Sequence, residues 1–104
     1  MSGTWQDVGS LDDFAATDAF AIEAGGREIA LYLCDGTVFA TDNRCTHGDA
    51  RLCDGFLEGH EIECPYHQGR FDIRTGEATL APAKVAVSSY PVRVEAGRIL
   101  LKVG

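Results

Sequence analysis

Arg27-Glu28-Ile29-Ala30-Leu31-Tyr32-Leu33-Cys34-Asp35-Gly36-Thr37-Val38-Phe39-Ala40-Thr41 is the stretch on which the fold class turns. Residues 27–34 and 37–41 are rich in β-formers, and Asp35-Gly36 between them is a strong two-residue hairpin signal. The C-terminal end repeats the pattern. Val92-Arg93-Val94-Glu95 alternates apolar and charged residues, Ala96-Gly97 makes a turn, and Arg98 to Val103 returns. Weaker strands are expected near 4–8, 18–24, 61–64 and 71–73. Helix is hinted at only by Ser10-Leu11-Asp12-Asp13-Phe14, where Ser10 is a candidate N-cap for one or two turns. Many short strands separated by turns predict an all-β chain, a small antiparallel β-sandwich or barrel.

The middle of the chain reads differently. Residues 42–60 and 65–70 hold few β-formers yet carry all three histidines, two of the four cysteines and several glycines. A loop-rich subdomain on a β scaffold is the expected home of a functional site. Length and composition bound the rest. With 104 residues, 45% hydrophobic and 24% charged, the chain is expected to form a single domain, 1–104. Its own core is small, so a metal centre present only in the folded state would add stability. The net charge of −7 argues against nucleic acid or an anionic membrane as partner and suits a basic docking surface. Met1 to Asp7 has neither a basic segment nor an apolar run, and no stretch approaches a membrane span. A cytoplasmic location is expected, and there four cysteines favour metal binding over two disulfides.

Two motifs stand out: Cys45-Thr46-His47 and Cys64-Pro65-Tyr66-His67, with sixteen residues between His47 and Cys64. Each places a thiolate and an imidazole a few residues apart. Gly48, Pro65 and Gly69 let the backbone wrap closely around them. Zinc-finger spacing would pair cysteine with cysteine and histidine with histidine on a ββα unit. Here each loop gives one of each and no helix follows, which suits a two-iron cluster better. The plant-type ferredoxin spacing C-x₄-C-x₂-C is not met by Cys34, Cys45, Cys53 and Cys64. Cys34 ends a strand and reads as a small apolar residue, Cys53 matches no ligand position, and a disulfide between them is disfavoured in a reducing compartment. His60 sits in an acidic, Gly-rich turn and reads as solvated. Trp5 and Tyr32 read as core or rim.

The run from Asp42 to Asp72 resembles the cluster-binding region of Rieske proteins. The resemblance is strongest to ferredoxin components of bacterial aromatic-ring-hydroxylating dioxygenases of the naphthalene dioxygenase type. It covers nearly the whole chain, including Ala30-Leu31-Tyr32, Ala40-Thr41-Asp42-Asn43 and Tyr90-Pro91-Val92. It implies a Rieske fold and one [2Fe–2S] cluster. Cys45 and Cys64 would bind the inner iron, His47 and His67 the outer iron, and a third loop containing Pro82 would close over them. It also implies a one-electron carrier, not an enzyme, working between a flavin-dependent ferredoxin reductase and a terminal oxygenase, with a monomer expected. A permanently bound small subunit of a complex such as nitrite reductase is the alternative, and a structural zinc module a more distant one. High-potential Rieske proteins carry an extra disulfide at positions corresponding to Ala50 and Tyr66. They also carry hydroxyl donors to sulfur at positions corresponding to Gly69 and Phe71. This chain lacks all four, which places it low in the Rieske potential range of about −150 to +300 mV.

Overall fold

The computed structural model describes residues 4–46, 50–66 and 68–103. The decisive hairpin is there. Strands β3 (Arg27–Cys34) and β4 (Thr37–Asp42) pair antiparallel with Tyr32 opposite Phe39 and Cys34 opposite Thr37. Asp35 and Gly36 both have positive φ, 51° and 78°, the left-handed pair that a tight hairpin turn requires. A second turn of this kind, Gly25-Gly26, joins β2 (Ala19–Ala24) to the other side of β3. With β9 (Ser89–Tyr90) beside β4, these strands form a four-stranded sheet in the order β2-β3-β4-β9. It is the central layer of the molecule.

Two further antiparallel sheets pack on it. One has three strands, β1 (Trp5–Ser10), β11 (Arg98–Lys102) and β10 (Val92–Glu95), in the order β1-β11-β10. The other has four short strands in sequence: β5 (Phe56–Glu58), β6 (Glu61–Glu63), β7 (Arg70–Asp72) and β8 (Ala78–Leu80). Strand β3 serves both neighbours through the two-residue period of a strand. Ile29 and Leu31 face a first core with Phe14, Val38, Ala40, Ile99 and Leu101. Ala30, Tyr32 and Cys34 face a second core with Cys45, Leu52, Ile62, Cys64, Phe71 and Ile73. A strand buried on both faces must be apolar throughout, which is why Ile29-Ala30-Leu31-Tyr32 lacks polar alternation.

The expected strands are present, and β5, β8 and β9 are additions. Strand β5 falls inside 42–60, where few β-formers were noted, because three residues suffice to pair Phe56–Glu58 with Glu61–Glu63 across Gly59-His60. The helical hint is a single 3₁₀ turn, Leu11–Phe14. Ser10 Oγ accepts from the Asp12 N–H, and an Asp13 carboxylate oxygen accepts from the Ser10 N–H. No helix among the described residues is long and apolar enough to cross a membrane.

Candidate metal centre

Cys45 and Cys64 sit at the tips of antiparallel fingers, and the two fingers are built alike. In the first, the Leu52 N–H donates to the Asn43 carbonyl at 2.7 Å, and the Cys45 N–H donates to the Ala50 carbonyl at 2.9 Å. In the second, β6 and β7 pair as far as Glu63 and Arg70, and the Cys64 N–H donates to the Gly69 carbonyl at 2.7 Å. Each cysteine therefore closes its loop by bonding to the carbonyl five residues on. Close approach is enforced by glycine: a Cβ on Gly55 would collide with the Glu63 carbonyl and stand 3.2 Å from Pro65 Cδ.

The fingers bring Cys45 and Cys64 together. Each is 2% exposed, and the two thiols lie within hydrogen-bonding reach of one another without being joined, all four cysteines being free. Burial, and then the Cys45 sulfur beside it, push the Cys64 thiol up, while the Tyr66 N–H, directed at the Cys64 sulfur, favours its anion. Two buried, adjacent, unoxidised sulfurs supplied with a backbone donor fit a soft metal centre, whose positive charge would hold both as thiolates. His47 and His67, the other two proposed ligands, lie outside the described residues.

The support beneath the first finger escaped the sequence reading. Asn43 is fully buried. Its side-chain amide donates to Glu28 Oε1 at 2.8 Å and its Oδ1 accepts from the Cys53 N–H at 2.9 Å. Its backbone N–H donates to the Glu28 carbonyl at 3.1 Å. Arg51 adds a charged contact to the same Glu28, 3.3 Å from Oε1. Asn43 thus ties the Cys45 finger to the central strand. Tyr32 proves to be core, its hydroxyl 2.9 Å from that of Thr41, whereas Trp5 lies on the rim under the cations of Arg93 and Lys102.

The segment containing Pro82 lies against both fingers. The Thr46 hydroxyl donates to the Val85 carbonyl at 2.5 Å, and a Cβ on Gly69 would stand 2.9 Å from the backbone nitrogen of Ala83. One expectation needs correction, and Cys34, buried in the core as expected, gains a further contact. His60 is half-buried, not solvated, with its ring edge-on to Phe39 at 5.8 Å. Cys34 does more than fill space: its thiol donates to the Gly59 carbonyl at 3.1 Å.

Residues 4–91 match the Rieske [2Fe-2S] domain. The chain belongs to the Rieske family. Membership indicates an iron–sulfur cluster, and the paired thiols suit one. The ferredoxin component of the naphthalene 1,2-dioxygenase/salicylate 5-hydroxylase systems of Ralstonia sp. is 51% identical over 98% of both chains. The ferredoxin of carbazole 1,9a-dioxygenase from Nocardioides aromaticivorans IC177 superposes with a TM-score of 0.89. It is 36% identical over 94% of this chain and 96% of that one. A chain of the complex of reduced oxygenase and oxidized ferredoxin in carbazole 1,9a-dioxygenase gives a TM-score of 0.86 at 32% identity, over 93% of this chain and 91% of that one. This Rieske chain is accordingly of the ferredoxin kind, an electron-transfer component and not a catalytic subunit.

Proposed function

We propose that this chain carries single electrons from a flavin-dependent reductase to the terminal oxygenase of an aromatic-ring-hydroxylating dioxygenase system. One [2Fe–2S] cluster would be held by Cys45, His47, Cys64 and His67. We also read residues 1–104 as one domain working in the cytoplasm, its cluster-binding loops lying within about 42–72. The observation that carries the site is the contact of the Cys45 and Cys64 thiols at the tips of two like-built fingers. When bound, such a cluster takes up one electron and releases it again. The chain's own residues do the rest. Cys45 and Cys64 each give up a thiol proton to solvent as metal binds. The Tyr66 N–H then stabilises the negative charge on the Cys64 sulfur. Leu52, Ile62 and Phe71, all fully buried, keep water from the inner side of the site. The acidic surface, −7 overall, orients the carrier toward a basic partner. The relatives named as ferredoxin components favour a shuttling carrier over a small subunit fixed in a complex.

Iron and acid-labile sulfide analysis of the purified protein tests the assignment, together with EPR of the reduced form. Two irons and two sulfides per chain are expected, with the low average g of an imidazole-ligated cluster. Stoichiometric zinc without labile sulfide would overturn it.

A further inference from the structure

A second group of metal-ligating side chains lies apart from the paired thiols. We propose that Cys34, Asp35 and His60 form a site for a thiophilic divalent cation of the zinc class. Their ligand atoms all lie within 4.8 Å of one another. The three come from two different hairpin turns. Cys34 is the last residue of β3 and Asp35 the first of the left-handed turn that follows it. His60 sits in the turn between β5 and β6. Neither turn reaches the other by sequence, so the fold alone makes the group.

The geometry is close to what zinc needs. Bonds of roughly 2.0–2.3 Å arranged tetrahedrally put ligand atoms roughly 3.3–3.8 Å apart. Cys34 Sγ and Asp35 Oδ2 are 4.0 Å apart, and the whole group exceeds the ideal separations by roughly 1–1.5 Å at most, a distance that changes of χ angle in exposed Asp35 and half-buried His60 cover together. Packing keeps Cys34 and the His60 backbone near the site. The His60 ring packs edge-on against Phe39, and its carbonyl accepts the Ile73 N–H at 2.9 Å. Cys34 is only 9% exposed, and its sulfur already points across the gap, donating to the Gly59 carbonyl.

The charges also balance. One thiolate, one carboxylate and one neutral imidazole neutralise a dication, with a fourth position open to solvent on the Asp35 side. Thiolate and imidazole together select zinc-like ions over magnesium or calcium. The thiol proton leaves to solvent as the ion binds. No oxidant or reductant takes part. Three other charged groups face Cys34 or His60: Asp18, Arg74 and Asp72. The last two neutralise each other through a guanidinium–carboxylate contact of 2.9 Å, which leaves the Asp35 carboxylate available. A bound ion would tie the β3–β4 turn to the β5–β6 turn, and so the central sheet to the sheet that carries Cys64.

The test titrates Zn(II) into iron-loaded, chelator-treated protein by calorimetry, with the visible absorption followed in parallel. One ion per chain is expected, with the absorption unchanged. Cys34→Ser and His60→Ala should each weaken binding about tenfold or more, since loss of a ligand costs at least what loss of a supporting contact does. Zinc-edge X-ray absorption of the wild-type protein gives a second readout that needs no variant. It should show one sulfur at about 2.3 Å with nitrogen and oxygen ligands at about 2.0–2.2 Å. Equal affinity in the variants, a shell without sulfur, or a two-sulfur shell with bleaching of the visible bands would each overturn the proposal.

Discussion

The two cores that share strand β3 are built on different principles. The first, between the central sheet and β1-β11-β10, is hydrocarbon: Phe14, Ile29, Leu31, Val38, Ile99 and Leu101. The second, between the central sheet and β5 to β8, has three sulfurs among its buried members and draws Tyr32 into a hydroxyl pair with Thr41. Buried Asn43 anchors the finger alongside it. The first core is held by area removed from water. The second has sheet strands of three residues and depends on directional bonds and, on the ligand assignment proposed above, on metal–sulfur bonds. One strand thus divides the labour residue by residue: odd positions of β3 maintain the fold, and even positions maintain the ground on which the metal stands.

This division can be broken most severely at the sulfurs. Cys45→Ser should abolish iron binding and visible absorption. Faster amide exchange should then be confined to the fingers and β5 to β8, while β2 to β4 remain protected. Uniform loss of protection would mean that the two cores are one cooperative unit. Next comes the hydrocarbon side. Leu31→Ala should lower stability by about 3 kcal/mol in denaturant titration, as deletions from packed cores do, and leave the reduction potential unchanged. A shifted potential would show that the faces of β3 are coupled.

A smaller effect is expected at the anchor. Asn43→Ala removes two side-chain hydrogen bonds, and the Cys53 N–H is left without a partner, at a cost of about 2 kcal/mol. Iron should be lost more readily to a chelator than in Leu31→Ala, although Leu31→Ala is the less stable protein overall. The reverse order would remove Asn43 from the metal support. The smallest expected effect is at Phe71, fully buried in the second core. Phe71→Tyr adds a hydroxyl where high-potential relatives place a donor to sulfur. A hydrogen bond of about 1 kcal/mol to the reduced state raises a one-electron potential by about 40 mV, which film voltammetry reads directly. An unchanged potential with the hydroxyl bonded to sulfur would refute the electrostatic account.

What could be read from the sequence followed from local geometry. Asp35-Gly36 and Ala96-Gly97 announce hairpins because both residues of each pair must take positive φ, and all four do. Cys45 and Cys64 were legible through their motifs, and the fold brings them into contact. Strands β5, β8 and β9 were not legible, because two or three residues are too few to display an alternation. Asn43 was hidden for another reason. Its side-chain partner Glu28 lies fifteen residues away on a neighbouring strand, and a lone asparagine after a strand reads as a turn residue until that pairing is seen. The Cys34–His60 approach is likewise a product of sheet packing, with no counterpart in spacing.

The contact between Gly69 and Ala83 bears on how such a carrier can be retuned over evolutionary time. A serine at position 69 is the substitution that the high-potential relatives suggest, yet its Cβ would stand 2.9 Å from both the backbone nitrogen and the Cβ of Ala83. Backbone cannot swing aside as a long side chain can, so the Pro82 segment would have to move with it. That segment also accepts the Thr46 hydroxyl from the other finger. A hydroxyl at 69 therefore cannot be acquired alone. It requires accompanying movement of the Pro82 segment, so at this position shape limits the change before electrostatics has any say.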